Sequence, residues 1–246
     1  MRFKKVLVSH AEPKDPKSPY FKLAREWKLD LTFQNFVHIE GETVSEFRKQ
    51  NIVPTDFSAV IFTGKHPIDH FFRLCTDLRI EMPPDTRYFC VSEASAKYLH
   101  KYITIRKRKL YVAKRAMSDL IELISAKKDE KFLYPCGDMP RPDLIKYLEE
   151  NKFDFQIARI YQTVSNDLKH LQPNKFDVLC FFSPNSIQAL FENFPNFDQG
   201  DTLVAVFGKT TTKMAEKAGL RLDIKAPQPE APSMTMALEK YLRETK

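Results

Sequence analysis

Short, wholly apolar runs alternate along this chain with stretches whose apolar residues recur at helical spacing. The clearest case lies between Val178 and Leu220. There VLCFFSPNSIQALFENF passes from an apolar run, through Ser183, Pro184, Asn185 and Ser186, to apolar positions at Ile187, Leu190, Phe191 and Phe194. That order predicts a strand, a polar turn and a helix. LVAVFGKTTTKMAEKAGL repeats the unit. Such a turn sits at the carboxyl end of a parallel strand and the amino end of a helix, where unpaired N–H groups and the helix dipole favour an anion.

The same pattern organises the rest of the chain. KKVLVS predicts a strand, Tyr20, Leu23, Ala24 and Trp27 give a helix its apolar stripe, and a second strand is expected near Leu31 to Phe36. FSAVIFTGKHPIDHFFRLC repeats the opening unit, and Ile68, Phe71, Phe72 and Cys75 share the relative spacing of Ile187, Leu190, Phe191 and Phe194. RYFCVSEASAKYLHKY likewise places Ser95, Tyr98, Leu99 and Tyr102 in the register of Thr211, Met214, Ala215 and Ala218. This internal duplication implies two similar lobes. KLYVAKR, MSDLIELI and KFLYPCGD read as strand, helix and strand, with a further helix over Asp143 to Glu150. FDFQIARIYQTV reads as one longer alternating strand. The end, LDIKAPQPEAPSMTMALEKYL, reads as a strand, a Pro-rich turn and a helix capped by Ser233.

Strands alternating with helices predict an α/β protein with parallel sheets covered on both faces. Two sheets of about five strands suit the repeat better than one. The first lobe supplies its five strands between Phe57 and Val164, so the other combines the N-terminal strands with the last three. The expected arrangement is a discontinuous terminal lobe over 1–38 and 168–246, and an inserted lobe over 39–167 that carries the linker strands. A cleft between the lobes is the expected site.

Composition narrows the function classes. The chain has 246 residues, 43% hydrophobic and 29% charged, which suits a soluble globular protein able to bury a core. No apolar run approaches the roughly 20 residues of a membrane helix, and MRFKKVLVSHAEP lacks the pattern of a signal peptide, so a cytoplasmic protein with no membrane partner is expected. Cys75, Cys90, Cys136 and Cys180 are far apart and mostly apolar in context, which predicts buried free thiols. The net charge of +7 makes an acidic partner plausible. No nucleic-acid motif accompanies that charge, so nucleic acid is not expected as the partner.

The segments AVIFTGKHPI, YPCGDMPRPDL followed by RIYQTV, VLCFFSPNSI, VAVFGKTTTKMAEKAGL and the AP…PSMTMAL tail occur in an order that resembles uroporphyrinogen-III synthases over essentially the whole chain. The resemblance implies two α/β lobes joined by a two-stranded linker, with the site in the interlobe cleft. It implies cyclisation of hydroxymethylbilane, a linear tetrapyrrole polycarboxylate, to uroporphyrinogen III with inversion of the last ring and loss of water. No cofactor and no metal are implied. A monomer is expected, in transient contact with the enzyme that makes the linear bilane. Because the bilane also closes spontaneously without inversion, the enzyme's task is largely to hold one geometry.

Tyr161 resembles the family's tyrosine on the returning linker strand, the candidate for assisting loss of the hydroxyl. A phenol with a pKa of about 10 is a weak acid but a good hydrogen-bond donor. Ser183, Asn185, Thr210 and Thr211 lie at turn positions that could hold acetate and propionate groups, with Thr63, Ser92 and Ser95 as their first-lobe counterparts. The rule that ligands bind beyond the carboxyl ends of strands selects Lys65, Lys114, Arg115, Arg141, Lys209 and Lys225 among the basic residues. It sets aside the run Arg106 to Lys109, which precedes its strand and is expected to form a solvated face. Three departures stand out: Gly64 where the family often has Ser, Ser92 where Gly is common, and Lys209 in place of the usual Pro of GPTT. The first two place the first lobe's turns in question. Ser and Thr at helix starts are also commonly plain N-caps. His66 and His70 lie four apart on a helix with no third ligand nearby in sequence, and are expected to be surface or capping histidines. The rival readings are a two-lobed module that binds a tetrapyrrole or another small polyanion without turning it over, and a periplasmic-type binding protein. The latter is disfavoured by the missing signal peptide.

Overall fold

A computed structural model describes residues 3–114 and 116–245. The chain runs β1 (Lys5–Val8), α1 (Pro19–Trp27), β2 (Asp30–Phe33), β3 (Val37–Gly41), α2 (Val44–Arg48), β4 (Ala59–Phe62) and α3 (Lys65–Leu78). It continues β5 (Arg87–Cys90), α4 (Glu93–Leu99), β6 (Leu110–Val112), α5 (Met117–Ser125), β7 (Phe132–Cys136), α6 (Pro142–Glu150), β8 (Phe155–Arg159) and β9 (Tyr161–Ser165). Last come β10 (Val178–Phe181), α7 (Pro184–Asn193), β11 (Leu203–Phe207), α8 (Lys209–Lys217), β12 (Ile224–Ala226) and α9 (Met234–Glu244).

Two compact units result, one from residues 1–38 with 164–246 and one from residues 39–163. The first holds a parallel sheet in the order β12-β11-β10-β1-β2, the second a parallel sheet in the order β6-β5-β4-β7-β8. This is the α/β class, with two five-stranded parallel sheets, that the alternating pattern predicts. The chain passes from one unit to the other within β3 and again within β9, and these two strands pair as a separate antiparallel sheet.

The apolar runs are uninterrupted because both faces of each sheet are covered. On β10, Val178 and Cys180 enter one core with Leu23, Met234 and Leu238, while Leu179 and Phe181 enter another with Ile187 and Leu190. On β4, Val60 and Phe62 pack with Ile68, Phe71 and Leu99, while Ala59 and Ile61 pack with Leu120, Ile124 and Leu144. The repeated spacing has the same cause in both units. Ile68, Phe71, Phe72 and Cys75 are the buried face of α3, and Ile187 and Leu190 are buried on α7 with Phe191 and Phe194 packed beside them. Each fully buried Leu, Ile or Phe contributes about 1.5–3 kcal/mol by leaving water, which fixes each helix on its sheet.

Two expectations need correction. The segment 155–165 is not one strand but two, β8 at the edge of the inserted sheet and β9 paired with β3. In the basic run, Arg106, Lys107 and Arg108 are exposed, but Lys109 is buried, its Nζ donating to the Pro84 carbonyl at 2.8 Å and pairing with Asp85.

Candidate active site

In an open α/β sheet the crevice for a ligand opens where strand order reverses, because the connections leaving the two central strands go opposite ways. In the inserted unit that point lies between β4 and β7. The turn after β4 is Thr63–Gly64, and the turn after β7 begins at Gly137. Behind them the buried Tyr134 phenol takes the Arg141 N–H at 3.2 Å and a side-chain hydrogen bond with Thr63, so Thr63 ties the two turns together.

Tyr161 is delivered to this point by the backbone just before it. The Ile160 N–H donates to the Cys136 carbonyl at 2.9 Å, keeping the chain beside the end of β7 as it leaves the sheet. The Tyr161 ring then lies directly on Gly137: a Cβ at that position would stand 2.3 Å from its Cε2. Only glycine leaves the ring that space. The rings of His70 and His66 on α3 have centroids 5.2 and 6.4 Å from that of Tyr161. Burial, with Cys136 and Tyr134 beside it, pushes the Tyr161 phenol up to about 12, while a hydrogen bond from the Gly137 N–H pulls the other way. The hydroxyl is therefore protonated at neutral pH and can act as a donor.

His70 is half-buried and rests on Tyr161, which corrects the expectation of a surface or capping histidine. Burial, then the Arg73 guanidinium and His66, hold its imidazole below the usual histidine range. Its Nδ1 is buried without a hydrogen-bond partner, and Gly41 of β3 lies so close that a Cβ there would stand 2.6 Å from that atom. Arg73 meanwhile donates to the Glu42 carbonyl at 2.6 Å and pairs with Asp77 at 3.0 Å.

In the terminal unit the reversal falls between β10 and β1. The turn after β10 carries Ser183, whose oxygen accepts the Ser186 N–H at 3.2 Å and lies 2.7 Å from the Ser186 hydroxyl, capping α7. The turn after β1 carries Ser9 and His10. His10 sits on Phe182 with centroids 4.7 Å apart, and both line a cavity of about 310 Å³ with Tyr20, Phe207 and Ser233. Sequence reasoning passed over His10, although the position after the strand in KVLVSH meets the same rule that selected the lysines.

The residues singled out from sequence divide by what they already do. Ser92 caps α4 by accepting the Ser95 N–H at 3.2 Å, and Ser95 is buried against it with the two hydroxyls 3.1 Å apart. Thr211 is buried as well. Arg141 forms a two-pronged pair with Asp143, at 3.2 and 2.9 Å, and Lys225 pairs with Glu216. Lys65 stands over the Tyr98 ring at 5.3 Å. Lys114, Lys209 and Thr210 are exposed and Asn185 is half-buried in the first turn of α7. Arg115 lies outside the described residues. The four cysteines are free and buried, and among the described residues no group of three or more His, Cys, Asp and Glu is placed to hold a metal ion. No helix among the described residues is long and apolar enough to cross a membrane.

Among the helix starts that carry no side-chain cap, which include those of α1, α5 and α6, two follow a glycine. Gly64 precedes α3 and Gly208, at φ 90°, precedes α8. The first N–H groups of these helices have no intrahelical partner, so they remain open to water or an anion.

The sequence profile of the HEM4 family, uroporphyrinogen-III synthase HemD, matches residues 30–236. A uroporphyrinogen-III synthase from Chlorobaculum parvum is 23% identical over 257 residues, covering 98% of this chain and 100% of its own. Among solved structures, uroporphyrinogen-III synthetase from Helicobacter pylori superposes with a TM-score of 0.60 at 19% identity, over 98% of this chain and 99% of that one. A mutant uroporphyrinogen III synthase from the extremely thermophilic bacterium Thermus thermophilus gives 0.57 at 14% identity, with the same coverage. At these identities the structural likeness is one of fold. The profile match, which spans the whole inserted sheet, the paired strands β3 and β9 and every strand of the terminal sheet but β1, carries the assignment: this chain belongs to the uroporphyrinogen-III synthase family.

Proposed function

We propose that this protein cyclises hydroxymethylbilane to uroporphyrinogen III, inverting the last ring and releasing water. The observation that carries the reading is Tyr161, a protonated phenol held at the inserted unit's switch point in a chain that belongs to this family. In this reading the Tyr161 O–H donates a hydrogen bond to the departing hydroxyl while the terminal pyrrole nitrogen pushes electrons towards the hydroxymethyl carbon. The C–O bond breaks as the departing oxygen takes a proton from solvent, so that water leaves and an azafulvene cation forms. The substituted α-carbon of the last pyrrole attacks it to give the spiro intermediate. That intermediate fragments and recloses through the other α-carbon, and loss of the ring proton leaves the neutral product. The balance is one bilane to one macrocycle and one water.

A phenol with its pKa pushed up to about 12 is a poor proton donor in bulk, so its contribution is a positioned hydrogen bond that strengthens as the leaving oxygen gains charge. For the acetates and propionates, each unit offers a glycine-led helix start that no side chain caps, at α3 and at α8. Lys65 opens α3, and Lys209 with Thr210 opens α8. Ser183 and Ser92 serve first as caps, with Asn185 and Ser95 in the turns they close, while Thr63 and Arg141 hold their turns in place and Thr211 is buried in α8. Lys114 adds exposed positive charge after β6.

The test supplies freshly generated hydroxymethylbilane and identifies the isomer formed. Uroporphyrinogen III above the uncatalysed background supports the proposal. Type I alone, at the uncatalysed rate, sinks it and leaves a tetrapyrrole-binding module without turnover.

A further inference from the structure

We propose that His70 is a positioning residue for this reaction, its imidazole forming the surface that fixes the Tyr161 ring and thereby aims the phenol. The inference rests on the function proposed above. Its ground is a chain of contacts from four parts of the inserted unit. Gly41 of β3 lies against His70 of α3, the His70 ring lies 5.2 Å from that of Tyr161 of β9 at an interplanar angle of 32°, and Tyr161 lies on Gly137 after β7. At both ends the neighbour is a glycine approached too closely for any side chain. The Tyr161 ring is thus confined by the His70 ring and by Gly137 backbone, neither of which can yield without moving a strand or a helix.

The surroundings of His70 add a second argument, because they keep its ring uncharged, with Nδ1 buried and without a hydrogen-bond partner. The groups around the ring are His66, Asp69 and Arg73 on its own helix, Tyr161 from β9, and the Gly41–Glu42 backbone, whose Glu42 carbonyl takes Arg73. Arg73 and His66 both oppose a charge on the imidazole. A flat, uncharged ring beside the phenol suits a reaction that develops a cation where the phenol acts.

The loss expected on removing the ring follows from orientation: misplacement by about 1 Å can cost on the order of 10²-fold in rate. His70→Ala should lower kcat for uroporphyrinogen III at least about tenfold, leave KM within about twofold, and raise the share of type I product, the pattern of a lost transition-state contact. His70→Phe restores a flat ring and should recover most of kcat and the isomer ratio. If His70→Ala does not fold, His70→Gln, which also lacks the ring, takes its place. A second readout needs no turnover. In protein carrying ¹³C at the tyrosine Cζ, with Tyr161→Phe assigning the signal, the Tyr161 titration should fall from about 12 towards the ordinary 10.0 in His70→Ala and stay high in His70→Phe.

An unchanged Tyr161 titration in the ring-less variant overturns the inference. So does a wild-type kcat and isomer ratio in that variant, or a folded His70→Phe that recovers neither. If wild-type protein makes no type III product, the proposed function falls by itself, and the titration still decides whether His70 sets the Tyr161 ring.

Discussion

Gly137→Ala is the sharpest perturbation this structure offers. An alanine Cβ would stand 2.3 Å from Cε2 of Tyr161 and 2.9 Å from Cδ2 and Cζ. To reach an ordinary carbon–carbon contact of about 3.5 Å the ring has to withdraw by about 1.2 Å. It cannot do so freely, because His70 lies beside it with Gly41 behind. Overpacking of this kind costs about 1–3 kcal/mol. A phenol displaced by about 1 Å loses on the order of 10²-fold in rate. The expected result is a urea midpoint lowered in proportion to that cost, and uroporphyrinogen III formation reduced far more than an equally destabilised variant elsewhere would show. Combining Gly137→Ala with Tyr161→Ala should recover stability, since the clash goes with the ring, a coupling that a double-mutant cycle measures directly. If Gly137→Ala were as stable and as active as wild type, or if its stability loss simply added to that of Tyr161→Ala, the contact would not be what confines the tyrosine.

Other perturbations follow from the same structure. Ser183→Ala and Ser92→Ala each remove an N-cap and leave a neighbouring serine without its partner, so each should cost about 1 kcal/mol in chemical denaturation, and no loss in either would contradict the capping roles. Gly64→Ser is expected to fit, since the backbone there is extended and the nearest atom to an added Cβ is Pro67 Cδ at 3.8 Å. With Pro67 offering no N–H, the serine can accept only from the His66 N–H, so it should gain a few tenths of a kcal/mol and raise KM by capping α3 there. An unchanged KM would remove α3 from the substrate site. Gly208→Ala should instead cost about 1–3 kcal/mol, because φ of 90° suits only glycine, although nothing crowds the position. Burial pushes Cys75, Cys90 and Cys136 from 9.0 to about 12, and Tyr161 from 10.0 to about 12. Folded values above the unfolded ones mean that this stability is complete below about pH 9 and is lost as pH rises towards 12. A denaturation midpoint that stays flat from pH 9 to 11 would show these groups to be solvated.

The sequence carries most of the fold because the fold is made of local units. β4 and β10 are four apolar residues each with both faces buried, and a run of that kind has no other comfortable place in a chain whose described residues include no membrane-length helix. The failures come where the partner, and not the segment, decides. The segment 155–165 is extended throughout, and alternation alone cannot reveal that Phe155–Arg159 pairs with β7 while Tyr161–Ser165 pairs with β3. Lys109 belongs by composition to a solvated run, but the Pro84 carbonyl and Asp85 that receive it come from the preceding connection. For the proposed site, the resemblance and the strand-end rule name Tyr161 and the turns. They name neither Gly41 nor a positioning role for His70, since only the folded chain brings α3, β3 and β9 together around one ring.

The departures at Gly64 and Ser92 acquire a different meaning from the sheet orders. β12-β11-β10-β1-β2 and β6-β5-β4-β7-β8 are the same arrangement, with β10 in the place of β4 and β11 in the place of β5. The helix after the first of these strands is α7 in one unit and α3 in the other, and the helix after the second is α8 or α4. In the terminal unit the first helix is closed by Ser183 and the second opens on Gly208. In the inserted unit the first opens on Gly64 and the second is closed by Ser92. Of these two helices, each unit therefore has one capped and one uncapped start, with the two exchanged in position. In the proposed site, the uncapped glycine-led turn of the inserted unit lies after the first of these strands instead of the second. The consequence is chemical as well as topological. α3 is the helix that carries His66 and His70 against Tyr161, so the unpaired N–H groups and the positive end of its dipole now belong to the element that also positions the phenol. A carboxylate bound there would be held by the same rigid body as the donor, and that is the condition under which binding energy becomes orientation.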